Sequence, residues 1–270
     1  MKKKKLLVLL LTVTLAFACK EDKKSKKELD STPQYGENIP DPSPVAMEEI
    51  NIIPIEHATA VLEWGDITIY VDPTGGAASF EGQKKPDLIL ITDIHGDHLS
   101  VETLEALDTS DAKFVVPQAV ADEMSNKFEG QLEILNNGEI KELSGILIEA
   151  IPMYNLREEA KDFHVKGRGN GYVLNMGDQR IYFSGDTEDI PEMRALKNID
   201  KAFICMNLPY TMTEESAASA VLDFKPKKVY PYHYRGRPDV SDVEKFKNLV
   251  DAANQDIEVV QLDWYPNEDY

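Results

Sequence analysis

Short apolar runs separated by turn residues begin near residue 49 and continue to residue 233. Runs of this length with turn residues at both ends are typical of β-strands. They predict strands over 52–55, 59–63, 67–71, 88–92, 131–135, 146–151, 172–175, 180–184, 202–206 and 228–232. The dipeptide Gly65-Asp66, between the second and third strands, predicts a hairpin turn.

Helical patterns are fewer and lie between the strands. Ser100 is a good N-cap for a helix over 101–107, and Pro117 is typical of the first turn of a helix that reaches residue 124. A third helix over 217–224 follows the candidate caps Thr211 and Thr213. Many strands with few helices predict two sheets packed together with helices outside them, which is a four-layer α/β sandwich.

The N-terminus has the pattern of an export signal. A basic MKKKK precedes an apolar run over 6–17 that is too short to span a bilayer as a mature helix. The letters AFAC resemble the cleavage box of a bacterial lipoprotein, in which Cys19 becomes the lipid-modified first residue. The KED that follows resembles a signal for the outer face of the outer membrane. We expect an exported outer-membrane lipoprotein facing the periplasm or the surface. The alternatives are an ordinary secretory peptide and an uncleaved N-terminal anchor.

Composition divides the chain into a signal peptide over 1–18, a tether over 19–48 and a domain over 49–270. The tether is rich in lysine, acids and proline, and cannot bury enough apolar surface to order itself. Removing residues 1–18 moves the formal charge from −19 to −23, because it takes away four lysines and no acids. Such acidity argues against a nucleic-acid partner. Cys205 lies in an apolar run and is expected in the core.

The stretch ILITDIHGDHLS, residues 89–100, runs from a predicted buried strand into Asp93, His95, Asp97 and His98. Unpaired carboxylates at the end of a buried strand are costly, and a divalent cation satisfies several of them together. Alternation along the chain predicts Asp93, His95 and Asp97 on one side, with His98 arriving as the chain turns into the next helix. The stretch therefore predicts metal ligands. The alternative is a helix-capping turn with solvent-exposed histidines.

Two later strands also end in potential ligands. The strand over 180–184 is followed by Asp186, and the strand over 228–232 by His233. Alone, each is as well explained by a turn or a structural histidine. Potential ligands follow three predicted strands, however, and this recurrence is expected if the strand ends form one site at the same edge of the fold.

The chain resembles the metallo-beta-lactamase superfamily. The stretches EHATAVLEWGDITIYVDP, ILITDIHGDHL, FHVKGRGNGYVL, IYFSGDTEDIPEM and YPYHYRG are most similar to its branch of L-ascorbate-6-phosphate lactonase-like and related metal-dependent hydrolases. The resemblance covers residues 50–265. It implies an αββα sandwich with the site at its open edge and one or two divalent ions, zinc first and manganese next. It also implies metal ligands at His95, Asp97, His98, Asp186 and His233.

Two positions depart from the family pattern. Asp93 stands where the family has histidine; an aspartate can still ligate, but it favours harder metals. The mid-chain histidine is also missing, because the chain reads PMYN over 152–155. His164 could replace it as a ligand or could act as a proton donor. Whether the chain holds one ion or two stays open.

Several other residues are candidates for substrate contact. The run KGRGNG, 166–171, is compatible with a phosphate cradle and with a flexible turn. Tyr210 follows a strand at the same predicted edge. The residues predicted to contact substrate are His57, Tyr154, Asn155, Arg168, Asn207 and Arg235.

These observations favour a hydrolase that uses a metal-activated water on a small ester, lactone or phosphoester, with an anionic small molecule as its partner. Asp97 would orient the water, and His164 would serve the leaving oxygen. The alternative is a surface lipoprotein that keeps the fold and binds a metal or ligand without turnover.

Overall fold

The computed structural model describes residues 49–124 and 126–266. The predicted signal peptide, the predicted lipidation site at Cys19 and the predicted tether lie outside these residues. No helix in the described part of the chain combines the length and the apolar character needed to cross a membrane.

The first half of the domain forms a six-stranded sheet. Its strands, in spatial as well as chain order, are β1 (Asn51–Glu56), β2 (Thr59–Trp64), β3 (Ile67–Val71), β4 (Leu88–Leu90), β5 (Lys113–Val116) and β6 (Leu132–Ile134). The β1–β2 and β2–β3 pairs are antiparallel, and the pairs from β3 to β6 are parallel. The parallel strands require crossover connections, which carry the helices of this half.

The second half forms a seven-stranded sheet. Its strands are β7 (Ile140–Leu143), β8 (Ile146–Met153), β9 (Gly169–Met176), β10 (Gln179–Phe183), β11 (Lys201–Cys205), β12 (Lys228–Tyr232) and β13 (Glu258–Val259). The spatial order runs from β13 back to β7. Strands β7 to β10 are antiparallel neighbours, and β10 to β13 are parallel neighbours.

Five α-helices cover the sheets in the described part of the chain. They are α1 (Val101–Ala106), α2 (Gln118–Glu123), α3 (Pro191–Arg194), α4 (Glu214–Phe224) and α5 (Val243–Ala253). Side chains of α1 and α2 pack with one face of the first sheet, and side chains of α3 to α5 join the core shared by both sheets. Ser100 caps α1 and Thr213 caps α4, each by accepting a backbone N–H.

Alternation along the strands separates two apolar cores. Leu88 and Leu90 of β4 belong to the core between the sheets, whereas Ile89 and Ile91 belong to the core beneath α1 and α2. A strand that is buried on both faces must lie between two layers. The four-layer αββα prediction is therefore confirmed.

Five of these strands and helices escaped the sequence patterns: β5, β7, α3, α5 and β13. Helix α3 is a single turn of four residues. Strand β5 is a four-residue run that periodicity cannot distinguish from the start of the following helix. Strand β7 lies at the edge of its sheet and buries none of its side chains completely. Helix α5 buries only Phe246 and Val250, so its apolar stripe is narrow. Strand β13 has two residues.

Polar residues follow the carboxyl ends of neighbouring strands in both sheets. Because parallel neighbours end at the same edge, these residues meet there. The backbone N–H of Asn170 donates to the carbonyl of Thr92 at 2.9 Å, which joins β9 to the loop after β4. The residues that follow β3, β4, β10, β11 and β12 at this edge include Asp72, Asp93, Asp186, Asn207 and His233.

Candidate metal centre

All five histidines of the chain lie at this edge. With nearby aspartates they form three groups whose candidate ligand atoms lie within 4.8 Å of one another. The central group contains His98, Asp186 and His233, the second His57, Asp97 and His233, and the third Asp93, His95 and His164.

The three side chains of the central group are buried. The Nε2 atoms of His98 and His233 lie 3.1 Å apart. Nε2 of His98 is 3.4 Å from Oδ2 of Asp186, and Nε2 of His233 is 3.3 Å from its Oδ1. Both carboxylate oxygens thus face imidazole nitrogens contributed by different strand ends.

Electrostatics in the central group favour charged forms despite burial. Burial by itself would raise the pKa of Asp186, but His233, His98 and His164 hold it well below its ordinary value. Burial would likewise lower the pKa of His98, but the carboxylates of Asp186 and Asp72 raise it well above the ordinary histidine value. A cluster of this kind attracts a cation in exchange for protons.

Asp97 belongs with the second group. Its Oδ2 lies 3.5 Å from Nε2 of His233, and its Oδ1 lies 3.9 Å from Nε2 of His98. Burial would raise its pKa, and contacts with His233 and His57 lower it. The prediction that Asp93, His95 and Asp97 share one side is wrong. Strand β4 ends at Leu90, and a turn closed by the carbonyl of His95 breaks the alternation.

His57 supports Asp97 from the turn between β1 and β2. Its Nδ1 lies 2.7 Å from the hydroxyl of Tyr265, which accepts the backbone N–H groups of Tyr234 and Arg235. The tyrosine therefore donates its proton to Nδ1, so that Nε2 of His57 carries a hydrogen and faces Oδ2 of Asp97 at 3.4 Å. Burial, followed by the proximity of His233, lowers the pKa of His57 to about 4.

Arg168 contacts the third group through Asp93. Nδ1 of His95 lies 2.9 Å from Oδ2 of Asp93, and Nε and Nη2 of Arg168 donate to the two oxygens of Asp93 at 3.0 and 2.8 Å. Burial would raise the pKa of Asp93, and the contacts with His95 and Arg168 lower it. Within this group, the ring of His164 packs edge to face with that of His95, at 5.2 Å between centroids.

The donor set fits a divalent cation. Nε2 of His164 lies 3.1 Å from Oδ2 of Asp186, yet this nitrogen and Oδ1 of Asp186 are buried without any hydrogen bond. Buried polar atoms are ordinarily paired, and atoms that converge without pairing are expected where an ion supplies the partner. Imidazole and carboxylate ligands suit zinc or manganese.

Asp72 is a functional residue that sequence reasoning missed. Its Oδ2 lies 2.8 Å from Nδ1 of His98, and its two oxygens accept the backbone N–H and the hydroxyl of Thr92 at 2.7 and 2.6 Å. The letters VDP after β3 hold the same signal as Asp186 and His233, a polar residue directly after a buried strand. That signal could have identified it.

A cavity of about 500 Å³ opens above the three groups. Phe163 and Tyr210 pack edge to face on its wall, at 5.2 Å between ring centroids. Its cationic lining residues are Arg235 and Arg237. Its lining comprises His57, His95, Asp97, Phe163, His164, Asp186, Asn207, Tyr210, Arg235, Gly236 and Arg237.

Of the predicted substrate contacts, His57, Asn207 and Arg235 lie in the cavity wall, whereas Tyr154, Asn155 and Arg168 do not. The hydroxyl of Tyr154 donates to Glu192, and the amide of Asn155 donates to the carbonyls of Ala160 and Tyr210. These two side chains position the segment that carries His164. The guanidinium of Arg168 donates hydrogen bonds to Asp93. Direct substrate contact is therefore not their role in this structure.

The run over 166–171 is a turn followed by a strand, and its cations are paired. Lys166 donates to Glu192 at 2.6 Å, and Arg168 holds Asp93. Gly169 and Gly171 belong to β9, where a Cβ would lie 2.8 Å from the carbonyl oxygens of Thr92 and Phe183, respectively. These glycines permit close backbone packing, which leaves no phosphate cradle in this run.

Known proteins share both this sequence and this fold. The family model of the beta-lactamase superfamily domain matches residues 51–233. A UPF0173 metal-dependent hydrolase of Pyrococcus horikoshii is 35% identical over 204 residues, covering 72% of this chain and 89% of that protein. Its counterpart in Thermus thermophilus is 30% identical over 220 residues, covering 77% of this chain and 96% of that protein.

Solved structures agree. A crystal structure from Parabacteroides distasonis, assigned as a metal-dependent hydrolase, has a TM-score of 0.72 and 35% identity, covering 81% of this chain and 94% of that one. The metallo hydrolase Igni18 of Ignicoccus hospitalis, at 23% identity and a TM-score of 0.67, covers 79% of this chain and 94% of its own and shares the fold. This chain therefore belongs to the metallo-beta-lactamase superfamily, in the UPF0173 family of metal-dependent hydrolases.

Proposed function

We propose that this protein hydrolyses a small anionic ester, lactone or phosphoester. The observation that carries the proposal is the position of the buried His98, Asp186 and His233 group. It lies at the base of a cavity whose cationic lining residues are Arg235 and Arg237. Family membership supports the reaction class, and the cavity's size and charge support the substrate class.

His98, Asp186, His233 and Asp97 would hold a divalent ion, zinc first and manganese next. When bound, such an ion polarises the scissile group and lowers the pKa of water toward about 7. Asp72 holds Nδ1 of His98, so that Nε2 faces the centre. The enclosed position of the histidines excludes bulk water from their nitrogen atoms.

Asp97 orients the attacking water. Its side chain is 44% exposed and lines the cavity, whereas the neighbouring histidines are buried. His57 and His233 hold its Oδ2, and its Oδ1 lies 3.9 Å from Nε2 of His98. A carboxylate fixed in this way accepts a hydrogen bond from a water molecule and directs its lone pair toward the substrate.

We assign His164 as the residue that faces the leaving oxygen. The ring lines the cavity, and neither of its nitrogens has a hydrogen-bond partner in the structure. Its Nε2 lies 3.1 Å from Oδ2 of Asp186, so this nitrogen faces the central group. A histidine with a free nitrogen at the cavity wall can donate to an alkoxide or phosphate oxygen as it departs.

Arg235 and Arg237 orient the anionic part of the substrate. The whole protein is acidic, but cationic side chains in the cavity wall attract anions locally and steer them toward the site. Phe163 and Tyr210 offer an apolar wall to the remainder of the molecule. A cavity of about 500 Å³ admits a small molecule and excludes a folded protein or nucleic-acid duplex.

The second candidate function is a surface protein that binds a metal or ligand without turnover. The pairing of Asp93 with Arg168 favours it, because a family ligand position is engaged in an ion pair. Asp97 and His164 nevertheless line a cavity directly above the central group, an arrangement that binding alone does not require.

The two functions are separated by an assay of the purified protein. Bound metal is measured by elemental analysis, and hydrolysis is assayed on a panel of lactones and bis(p-nitrophenyl) phosphate. We expect turnover that His98→Ala abolishes and that Asp87→Asn, a carboxylate variant distant from the centre, leaves unchanged. Stoichiometric metal without turnover on any panel member would favour the binding protein.

A further inference from the structure

Arg168 occupies the third histidine group with a fixed positive charge. Its guanidinium binds both oxygens of Asp93 in a fork, and its Nη2 also donates to the carbonyl of Phe163. Its side chain is 19% exposed, and that of Asp93 is fully buried. Two parallel charge-assisted hydrogen bonds in a buried setting form a specific arrangement that a mobile surface pair does not achieve.

Both nitrogens of His95 lie close to charged side chains. Nδ1 lies 2.9 Å from Oδ2 of Asp93, and Nε2 lies 3.4 Å from Nη2 of Arg168. The two hydrogens of Nη2 are used by Asp93 and the carbonyl of Phe163, so the guanidinium does not bond to Nε2. It instead occupies space near the lone pair that a metal would need. In the central group, by contrast, Oδ1 of Asp186 has no hydrogen-bond partner.

The guanidinium also repels a second cation. A divalent ion between His95 and His164 would have to sit beside the guanidinium of Arg168, whose side chain is largely buried. The same ion would gain little from Asp93, whose charge is already balanced by the arginine. The central group has the opposite balance, since two carboxylates, Asp97 and Asp186, face His98 and His233, and that set contains no arginine or lysine.

We propose that this protein holds one divalent ion tightly, at His98, His233, Asp186 and Asp97, and that Arg168 stands in for the second ion. This inference depends on the proposed function in one respect: both place the ion at the same metal centre. The test counts bound ions and does not depend on an activity assay. A protein that binds one ion and hydrolyses nothing would therefore refute the proposed function but not this inference.

The first measurement is the ion count of the wild-type protein. The full-length chain, purified in detergent, is stripped with a chelator, loaded with zinc, dialysed and examined by elemental analysis and titration calorimetry. We expect one zinc ion per chain and a single tight binding event. Two ions of comparable affinity would overturn the proposal.

The second measurement uses Arg168→Met, which removes the charge and retains the apolar stem. It should release Asp93 and His95, so that the variant takes up a second ion at least about tenfold more tightly than the wild type does. Arg237→Met is the matched control, because it removes the same charge from the exposed cavity wall and should leave the count at one. An unchanged count in a folded Arg168→Met variant would contradict the role of the arginine.

A third variant keeps the proposal testable if Arg168→Met does not fold. His95→Ala should retain one ion with an affinity within about threefold of the wild type, whereas His98→Ala should lose the ion with an affinity loss beyond about a hundredfold. Loss of the ion in His95→Ala would overturn the inference, because it would make His95 a ligand of the tight site.

Discussion

Oδ2 of Asp72 lies 2.8 Å from Nδ1 of His98, and both side chains are completely buried. The carboxylate also accepts the backbone N–H and the hydroxyl of Thr92, so its position is fixed by the loop after β4. A carboxylate in this position selects the histidine tautomer whose Nε2 is free, and it increases the basicity of that nitrogen. One residue after β3 thereby determines the direction in which the ligand after β4 points.

Replacing Asp72 by asparagine should weaken metal binding by about 10- to 100-fold, because His98 loses the partner that fixes its tautomer. Competition with a chromophoric chelator measures the change. The matched control is Asp87→Asn, whose carboxylate accepts the backbone N–H of Thr68 near the start of β3. Equal affinities in the two variants would refute the role of Asp72.

Metal should stabilise the folded domain. An ion at about 100 times its dissociation constant contributes roughly 2.7 kcal/mol to the free energy of unfolding. For a domain of this size, that corresponds to a rise of about 5–10 °C in Tm. Calorimetry with and without a chelator measures it. His233→Ala removes a ligand of the central group and should abolish the shift, and a shift that persists would place the ion elsewhere.

Glu188→Gln should loosen the segment that carries His164. The buried carboxylate of Glu188 accepts the backbone N–H groups of Leu156 and Arg157 at 2.8 and 2.9 Å and the Nε of Arg157 at 2.6 Å. Losing these charge-assisted bonds should lower the free energy of unfolding by about 2 kcal/mol, as measured by urea denaturation.

The control for this variant is Glu159→Gln, because Glu159 is 71% exposed and its ion pair with Arg157 spans 3.3 Å. The free energy of unfolding should change by less than about 0.5 kcal/mol. Limited proteolysis should cut the Glu188→Gln protein faster between residues 156 and 168. Identical stability of both variants would show that the segment is held by other contacts.

Gly169→Ala should destabilise the junction between the sheets. A Cβ at this position would lie 2.8 Å from the carbonyl oxygen of Thr92 and would also overlap the side chain of Met153. We expect the free energy of unfolding to fall by about 1–3 kcal/mol. Gly130→Ala is the control, since no atom lies within 4 Å of its added Cβ. Equal unfolding midpoints would contradict the close packing.

Lipidation is tested at Cys19. Cells that express the protein with radiolabelled fatty acid should label the wild-type chain, and Cys19→Ser should abolish the label because it removes the acceptor thiol. Membrane fractionation should show the same difference. Labelling that persists in the variant would contradict the lipoprotein prediction, and an absence of label in both proteins would favour an ordinary secretory peptide.

The sequence by itself determined the strands, the layers and much of the centre. Strands β3 and β12 have the predicted bounds of 67–71 and 228–232, because short apolar runs bounded by turn residues are local signals. The sequence also places Asp186 and His233 with His98, because polar residues after parallel strands meet at one edge. Metal ligands that lie at strand ends can therefore be predicted from the sequence.

Only the tertiary structure decided which ligands belong to the same group and which of their charges are paired with other side chains. Arg168 lies 75 residues from Asp93 in the chain, and nothing in the local pattern couples them. The turn at His95 sends Asp97 toward His57 and His233, although alternation predicts it beside Asp93. Side-chain pairing between distant segments depends on how the two sheets pack, and periodicity carries no information about that distance.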